Sequence, residues 1–177
     1  MSLLNTIPPE SATGEVADIY AQVQSAWGRI PTPLQLRSVS PFLLAHTWSY
    51  YSHITQHPTL SMPLTTCIRM LVSQAGNCGY CIDMNSGMLI NMAGWTPEQV
   101  AATRADFNSS PLSDKEKALL GLVLKVTRDP NGVNAADLQA ARDAGWTEGE
   151  IFDAVNHGAN MVAGDILINA FKVERDF

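Results

Sequence analysis

The chain has 177 residues, 46% of them apolar and only 16% charged, with a net charge of −6. That hydrophobicity excludes a disordered chain, and the acidic balance excludes nucleic acid as a partner. The charged fraction is well below the roughly 25% of an average soluble domain, so part of the surface is expected to lie against copies of the same chain, as a homo-oligomer.

Helix signals dominate and strand alternation is absent, so the expected class is all-α, with about seven or eight helices in one domain over residues 1–177. An N-terminal helix and loop (1–37) lead into a core (38–97) and a set of C-terminal helices (98–177). Met1 to Glu10 has no basic or long apolar stretch, so no signal peptide is read. No clean apolar run of about 18 residues occurs, so no spanning helix is expected. The segment from Met161 to Phe171 comes nearest and is interrupted by Asp165. A cytoplasmic, reducing setting follows by default.

In chain order, Gly14 to Trp27 reads as an amphipathic helix. Pro41 to His57 follows, with Ser40 as N-cap and proline at the first helical position. Pro63 to Ala75 is a third helix, closed by Gly76, and Cys78 to Ala93 a fourth, capped by Asn77. Thr96-x-x-Gln99, Ser113-x-x-Glu116 and Thr147-x-x-Glu150 are capping boxes. The last of them opens a helix whose apolar stripe is Ile151, Val155, Ala159, Val162 and Ile166. Ala93-Gly-Trp-Thr96 recurs as Ala144-Gly-Trp-Thr147. In both, glycine ends one helix in the left-handed conformation and threonine caps the next, in the pattern of a duplicated helical hairpin.

Charges are sparse in the middle. Between Ser38 and Pro97 only Arg69 and Asp83 are charged, yet this window holds all three cysteines and three of the four histidines. It should form a helical layer buried on most sides. His46, Tyr50, His53 and His57 recur at helical spacing on one side of the second helix, which either lines a thiol pocket or faces another subunit. His157, with Asn156 and Asn160, reads as a buried polar network on the last helix.

Cys78-Gly-Tyr80-Cys81 is the strongest chemical signal. Positions i and i+3 share a helix face, so the sulfurs can reach disulfide distance. First-turn N–H groups favour a thiolate, and such a dithiol can pass from sulfenic acid to disulfide when a peroxide attacks. The other readings are two core cysteines, or half a zinc site, for which two more soft ligands at matched spacing do not appear. Cys67, mid-helix, reads as a buried apolar thiol.

The run from Ile68 through Cys78-Gly-Tyr-Cys81 resembles the signature of the AhpD-like alkylhydroperoxidases, in the carboxymuconolactone decarboxylase superfamily. Pro9 to Tyr20, Gly28-Arg-Ile-Pro31, Leu112 to Leu120 and Ala144-Gly-Trp-Thr147 resemble its longer, peroxidase-related members. The resemblance implies an AhpD-like helical bundle, homo-oligomers and thiol peroxidase chemistry without a cofactor or metal. Cys81 would be oxidised by a hydroperoxide or disulfide substrate, Cys78 would resolve it, and a thiol reductant would restore the pair. Where the family has a proton relay of glutamate and histidine, this chain has Thr66 and Asn85, which hydrogen-bond but are not bases near neutral pH. A weakened peroxidase is therefore expected. The alternatives are a decarboxylase-type lyase, in whose branch the cysteine pair is absent, and a non-catalytic oligomeric binding protein on the same fold. Tyr80 and His53 are the remaining auxiliary candidates. Arg69, one turn from Thr66, either lowers the pKa of a thiol or pairs with Asp83.

Overall fold

Hydroxyl and amide caps set most of the helix starts. The structure, a computed structural model, describes residues 2–177. Among them it has nine α-helices, four short 3-10 turns and no strand. The helices are α1 Gly14–Trp27, α2 Thr32–Leu36, α3 Pro41–Thr55, α4 Met62–Ala75, α5 Gly79–Asn91, α6 Pro97–Ala105, α7 Asp114–Arg128, α8 Ala135–Asp143 and α9 Glu148–Ala170. Thr96 and Ser113 form the predicted capping boxes, and Thr147 exchanges the corresponding bonds with Glu150. Asn134 and Asp137 form a fourth box, which the sequence reading had not singled out. Gly94 and Gly145 take the left-handed conformation expected of them, with φ of 71° and 88°.

Several boundaries differ from expectation. Ser40 precedes α3 but makes no side-chain cap bond. The helix ends at Thr55, so His57 lies beyond it. Between α4 and α5 the left-handed residue is Asn77, at φ 51°, while Gly76 stays right-handed at −79°. Gly76 is still the C-cap of α4, as expected, and it is the N-cap of α5 that differs, being Cys78 and not Asn77.

One compact unit comprises the described residues of Met1–Gln56 with Leu167–Phe177. Its core is Val16, Ile19, Tyr20 and Val23 of α1 packed with Leu34 and Leu44. Trp27 and Trp48 close it edge to face, their centroids 5.2 Å apart, and the Tyr20 hydroxyl donates to the Ile7 carbonyl at 2.9 Å. Thr32 N donates to the Asp176 carboxylate at 2.8 Å, tying the chain end to this unit.

The other unit, His57–Ile166, holds all three cysteines. Every residue of α4 from Leu64 to Ser73 is buried, as the charge-poor window led us to expect. It packs against α5 and α7. Here α9 corrects the predicted stripe. Only Ile151 of that set is buried, while Val162 and Ile166 are 36% and 62% exposed. The face turned inward is Ile151, Ala154, His157, Gly158, Met161 and Asp165. Apolarity alone picked the wrong face because His157 and Asp165 are buried with polar neighbours that offset their desolvation. Gly158 lets α9 close on α7, since a Cβ there would stand 2.6 Å from Val123 Cγ1.

Candidate functional site

The unwound corner between α4 and α5 places Cys78 at the N-cap and Cys81 in the first turn of α5. Their sulfurs lie 2.8 Å apart. Both are free thiols, and their residues are 0% and 1% exposed. The Cys78 N–H donates back to the Ser73 carbonyl at 3.0 Å, which fixes the corner. The expectation that first-turn amides would hold Cys81 as a thiolate is corrected. Its pKa is raised by hydrogen bonding with Cys78, by burial and by the negative charge of Asp165.

Asp165 comes from α9, and a carboxylate oxygen of it and the two sulfurs all lie within 4.8 Å of one another. Oδ1 accepts from Ser73 Oγ at 2.9 Å. Oδ2 is sealed from solvent and meets no donor in hydrogen-bond geometry. The carboxylate as a whole lies beside the two thiols. Burial raises the carboxyl pKa, and the S–H dipoles, with Ser73, pull it back down. Gly76 borders this niche, for a Cβ there would be 3.0 Å from Oδ2. The one sequence signal of Asp165 is a charge that interrupts an apolar segment, a pattern that argues against membrane insertion and does not point to the dithiol. Two cysteines and one carboxylate fall one short of the four ligands of a structural zinc site. No fourth His, Cys, Asp or Glu joins them among the described residues.

A second buried cluster occupies the two relay positions. Arg69 reaches from α4 and is only 6% exposed. Its Nε donates to Asn85 Oδ1 at 2.7 Å and Nη2 to Thr66 Oγ1 at 2.9 Å, while Nη1 lies 3.3 Å from His157 Nε2. Thr66 passes its own proton to the Met62 carbonyl at 2.7 Å, and Asn85 Nδ2 donates to the Cys81 carbonyl at 2.7 Å. Burial and the adjacent guanidinium push His157 down to about 3, so it is neutral. Nε2 then accepts from Arg69, leaving the other ring nitrogen for the Thr65 carbonyl. Arg69 thus meets Thr66, one turn away as its spacing places it, and also Asn85 and His157, which the sequence did not link to it. The Asp165 charge adds to the hydrogen bonding with Cys78 and the burial that raise the Cys81 pKa. The Arg69 charge is felt at Cys67, where it opposes the burial and the Glu116 charge that push this thiol up to about 12.

Tyr80 is buried in the first turn of α5. His46 and His53 are exposed on α3 and Tyr50 is half-buried. His57 is not on that helix. Its Nδ1 accepts from Leu60 N at 3.0 Å and its Nε2 meets Asp153 at 3.2 Å, so it organises a turn. Of the predicted trio on α9 only His157 points inward, while Asn160 is exposed and bonds back to the Asn156 carbonyl.

No family model matches the chain. An alkyl hydroperoxide reductase of Mycobacterium tuberculosis is 26% identical over 86 residues, 49% of this chain but only 25% of that protein's length. Among solved structures, an AhpD-core, peroxidase-related protein of Ralstonia eutropha superposes with a TM-score of 0.85 at 18% identity, over 99% of this chain and 92% of its own. The debrominase Bmp8, solved with 2,3,4-tribromopyrrole, superposes with a TM-score of 0.74 at 16% identity, over 99% of this chain and 94% of its own. The chain therefore has the AhpD-like helical fold.

Proposed function

We propose that the protein is a thiol-dependent, peroxidase-like oxidoreductase that cycles Cys78 and Cys81 between dithiol and disulfide. The observation that carries this is the pair of sulfurs 2.8 Å apart on one helical turn. Cys81 attacks the outer oxygen of a hydroperoxide, forming a sulfenic acid and releasing an alcohol or water. Cys78 then displaces the hydroxyl as water and closes the disulfide. The dithiol loses two electrons and the peroxide gains them, and a thiol reductant reverses the change at the sulfurs. Both residues are nearly inaccessible, which favours a small hydroperoxide over a bulky one. The relay positions hold Arg69 partners in place of a base, which accords with slow turnover.

The protein would act in the cytoplasm as a homo-oligomer. Phe42 and Leu43 on α3 are 77% and 53% exposed, and Phe152 on α9 is 70% exposed, apolar surface that a second copy could cover. No helix among the described residues is long and apolar enough to cross a membrane. A debrominase shares the fold, so the fold does not by itself select peroxide, and the dithiol is what favours redox chemistry. The burial of both sulfurs is the observation that favours a non-catalytic oligomer instead. The deciding experiment is mass spectrometry of the full chain before and after mild hydrogen peroxide, with alkylation under denaturing conditions. The expected result is a loss of two hydrogens across the Cys78–Cys81 peptide, reversed by dithiothreitol. If both thiols remain alkylatable after treatment, the redox function is refuted.

A further inference from the structure

We propose, resting on the redox function above, that Asp165 is the base and acid of the dithiol, performing the proton transfer that Thr66 and Asn85 cannot. The first observation is Oδ2 itself, a buried carboxylate oxygen that meets no donor in hydrogen-bond geometry and belongs to a carboxylate beside two thiols. Leaving such an atom unmet is costly. It lies in a niche that Gly76 borders without a side chain, while Ser73 holds the other oxygen. A carboxylate placed only to bind Ser73 would not need its second oxygen kept bare beside two thiols.

The second observation is that the neighbouring polar groups are already committed. The Thr66 hydroxyl gives its proton to Met62 and accepts from Arg69. The Asn85 amide is used at both ends. The His157 lone pair is directed at the Arg69 guanidinium. Of the groups described around the sulfurs, the Asp165 carboxylate is the one with a free acceptor oxygen.

The step balances within the site. As the Cys81 sulfur bonds to the outer peroxide oxygen, the O–O bond breaks and the S–H proton passes to Oδ2. Asp165 then gives that proton to the departing oxygen, which leaves as alcohol or water. When Cys78 attacks the sulfenic sulfur, its proton follows the same route to the departing hydroxyl. The peroxide supplies the oxidising equivalents, and Asp165 is unchanged at the end.

The groups facing Asp165 are Cys78 and Cys81 on the α5 side and Ser73 and Gly76 on the α4 side. Arg69 and His157 lie four and eight residues along α4 and α9 from Ser73 and Asp165, bonded in their own cluster. The test is the rate of disulfide formation with hydrogen peroxide across pH, for the full chain and its Asp165→Asn and Ser73→Ala variants. In the wild type the rate should rise as Asp165 ionises and then level off. In Asp165→Asn it should fall by roughly 10²-fold or more near neutral pH and climb with pH as the thiolate fraction grows. Equilibration of that variant in glutathione buffers should still yield the disulfide, so the loss is in rate and not in the dithiol. Ser73→Ala removes a bond that lowers the Asp165 pKa, so its acidic limb should move to higher pH. An Asp165→Asn variant with the wild-type rate and profile overturns the proposal. If that variant does not fold, an unmoved acidic limb in Ser73→Ala overturns it. A wild type that forms no disulfide with peroxide refutes the redox function instead, a separate outcome.

Discussion

Replacing His157 with glutamine should make the protein less sensitive to mild acid. In the folded state the ring is 2% exposed, and burial followed by the Arg69 charge pushes its pKa from 6.5 down to about 3. The sign follows from linkage. As pH falls through 6.5 the unfolded chain takes up a proton that the folded chain refuses, so the stability present above that pH is lost toward pH 3. Each pH unit inside the window is worth about 1.4 kcal/mol. The wild type should therefore lose about 2 kcal/mol between pH 7 and pH 5 through this residue, and on the order of 5 kcal/mol by pH 3. Glutamine can still accept from Arg69 and donate to Thr65, and it does not titrate. Asp165, whose pKa burial raises, acts with the opposite sign, losing stability as pH rises through its range, but it is present in both proteins and cancels in the comparison. Urea unfolding followed by tryptophan fluorescence at pH 7, 6 and 5 measures the difference. Whatever the His157→Gln change costs at pH 7, the gap to wild type should narrow or reverse by about 2 kcal/mol at pH 5. Parallel stability curves over that range would show that His157 is not held neutral by its surroundings.

Two further outcomes follow from the same network and from the surface. Restoring the relay by Thr66→Glu with Asn85→His should change peroxide turnover by less than about tenfold, well short of the roughly 10² that a positioned base gives. The new carboxylate would meet Arg69, which already reaches that position, and an ion-paired carboxylate is a weak base. A gain of roughly 10² in a stopped-flow peroxide assay would show that Arg69 moves aside. Light scattering should find an oligomer at pH 8, its interface drawing on exposed apolar side chains such as Phe42 and Leu43 of α3. A stable monomer at pH 8 refutes the assembly.

Helix positions were legible from periodicity at Gly14–Trp27 and from capping chemistry at the boxes of Thr96 and Ser113. The sulfur pair was legible because i,i+3 spacing carries geometry with it. The orientation of α9 was not. A hydrophobic stripe marks the inward face only when the core is apolar, and here the inward face carries His157 and Asp165. Their burial depends on partners 88 and 92 residues away in Arg69 and Ser73, which no local pattern encodes. The ionisation of Cys81 was misjudged for the same reason. The first-turn amides are local, whereas the hydrogen bonding with Cys78 and the burial that chiefly oppose them, and the Asp165 carboxylate that adds to these, depend on how the folded site packs. Asn77 took the left-handed position because asparagine tolerates it, leaving Gly76 to serve clearance beside Asp165.

If the pair cycles as proposed, the sealing of the two sulfurs has a kinetic consequence for whatever regenerates them. A reductant must bring its own sulfur in line with the disulfide, and a protein thiol is too large to do so while α5 keeps its first turn. Re-reduction by such a partner then becomes a gated process, governed by how often the corner from Gly76 to Cys81 opens and not by the nucleophilicity of the incoming thiol. Small thiols and large ones should diverge accordingly. The rate with a compact dithiol should track its concentration, whereas the rate with a redox protein should saturate at the opening frequency of that single turn.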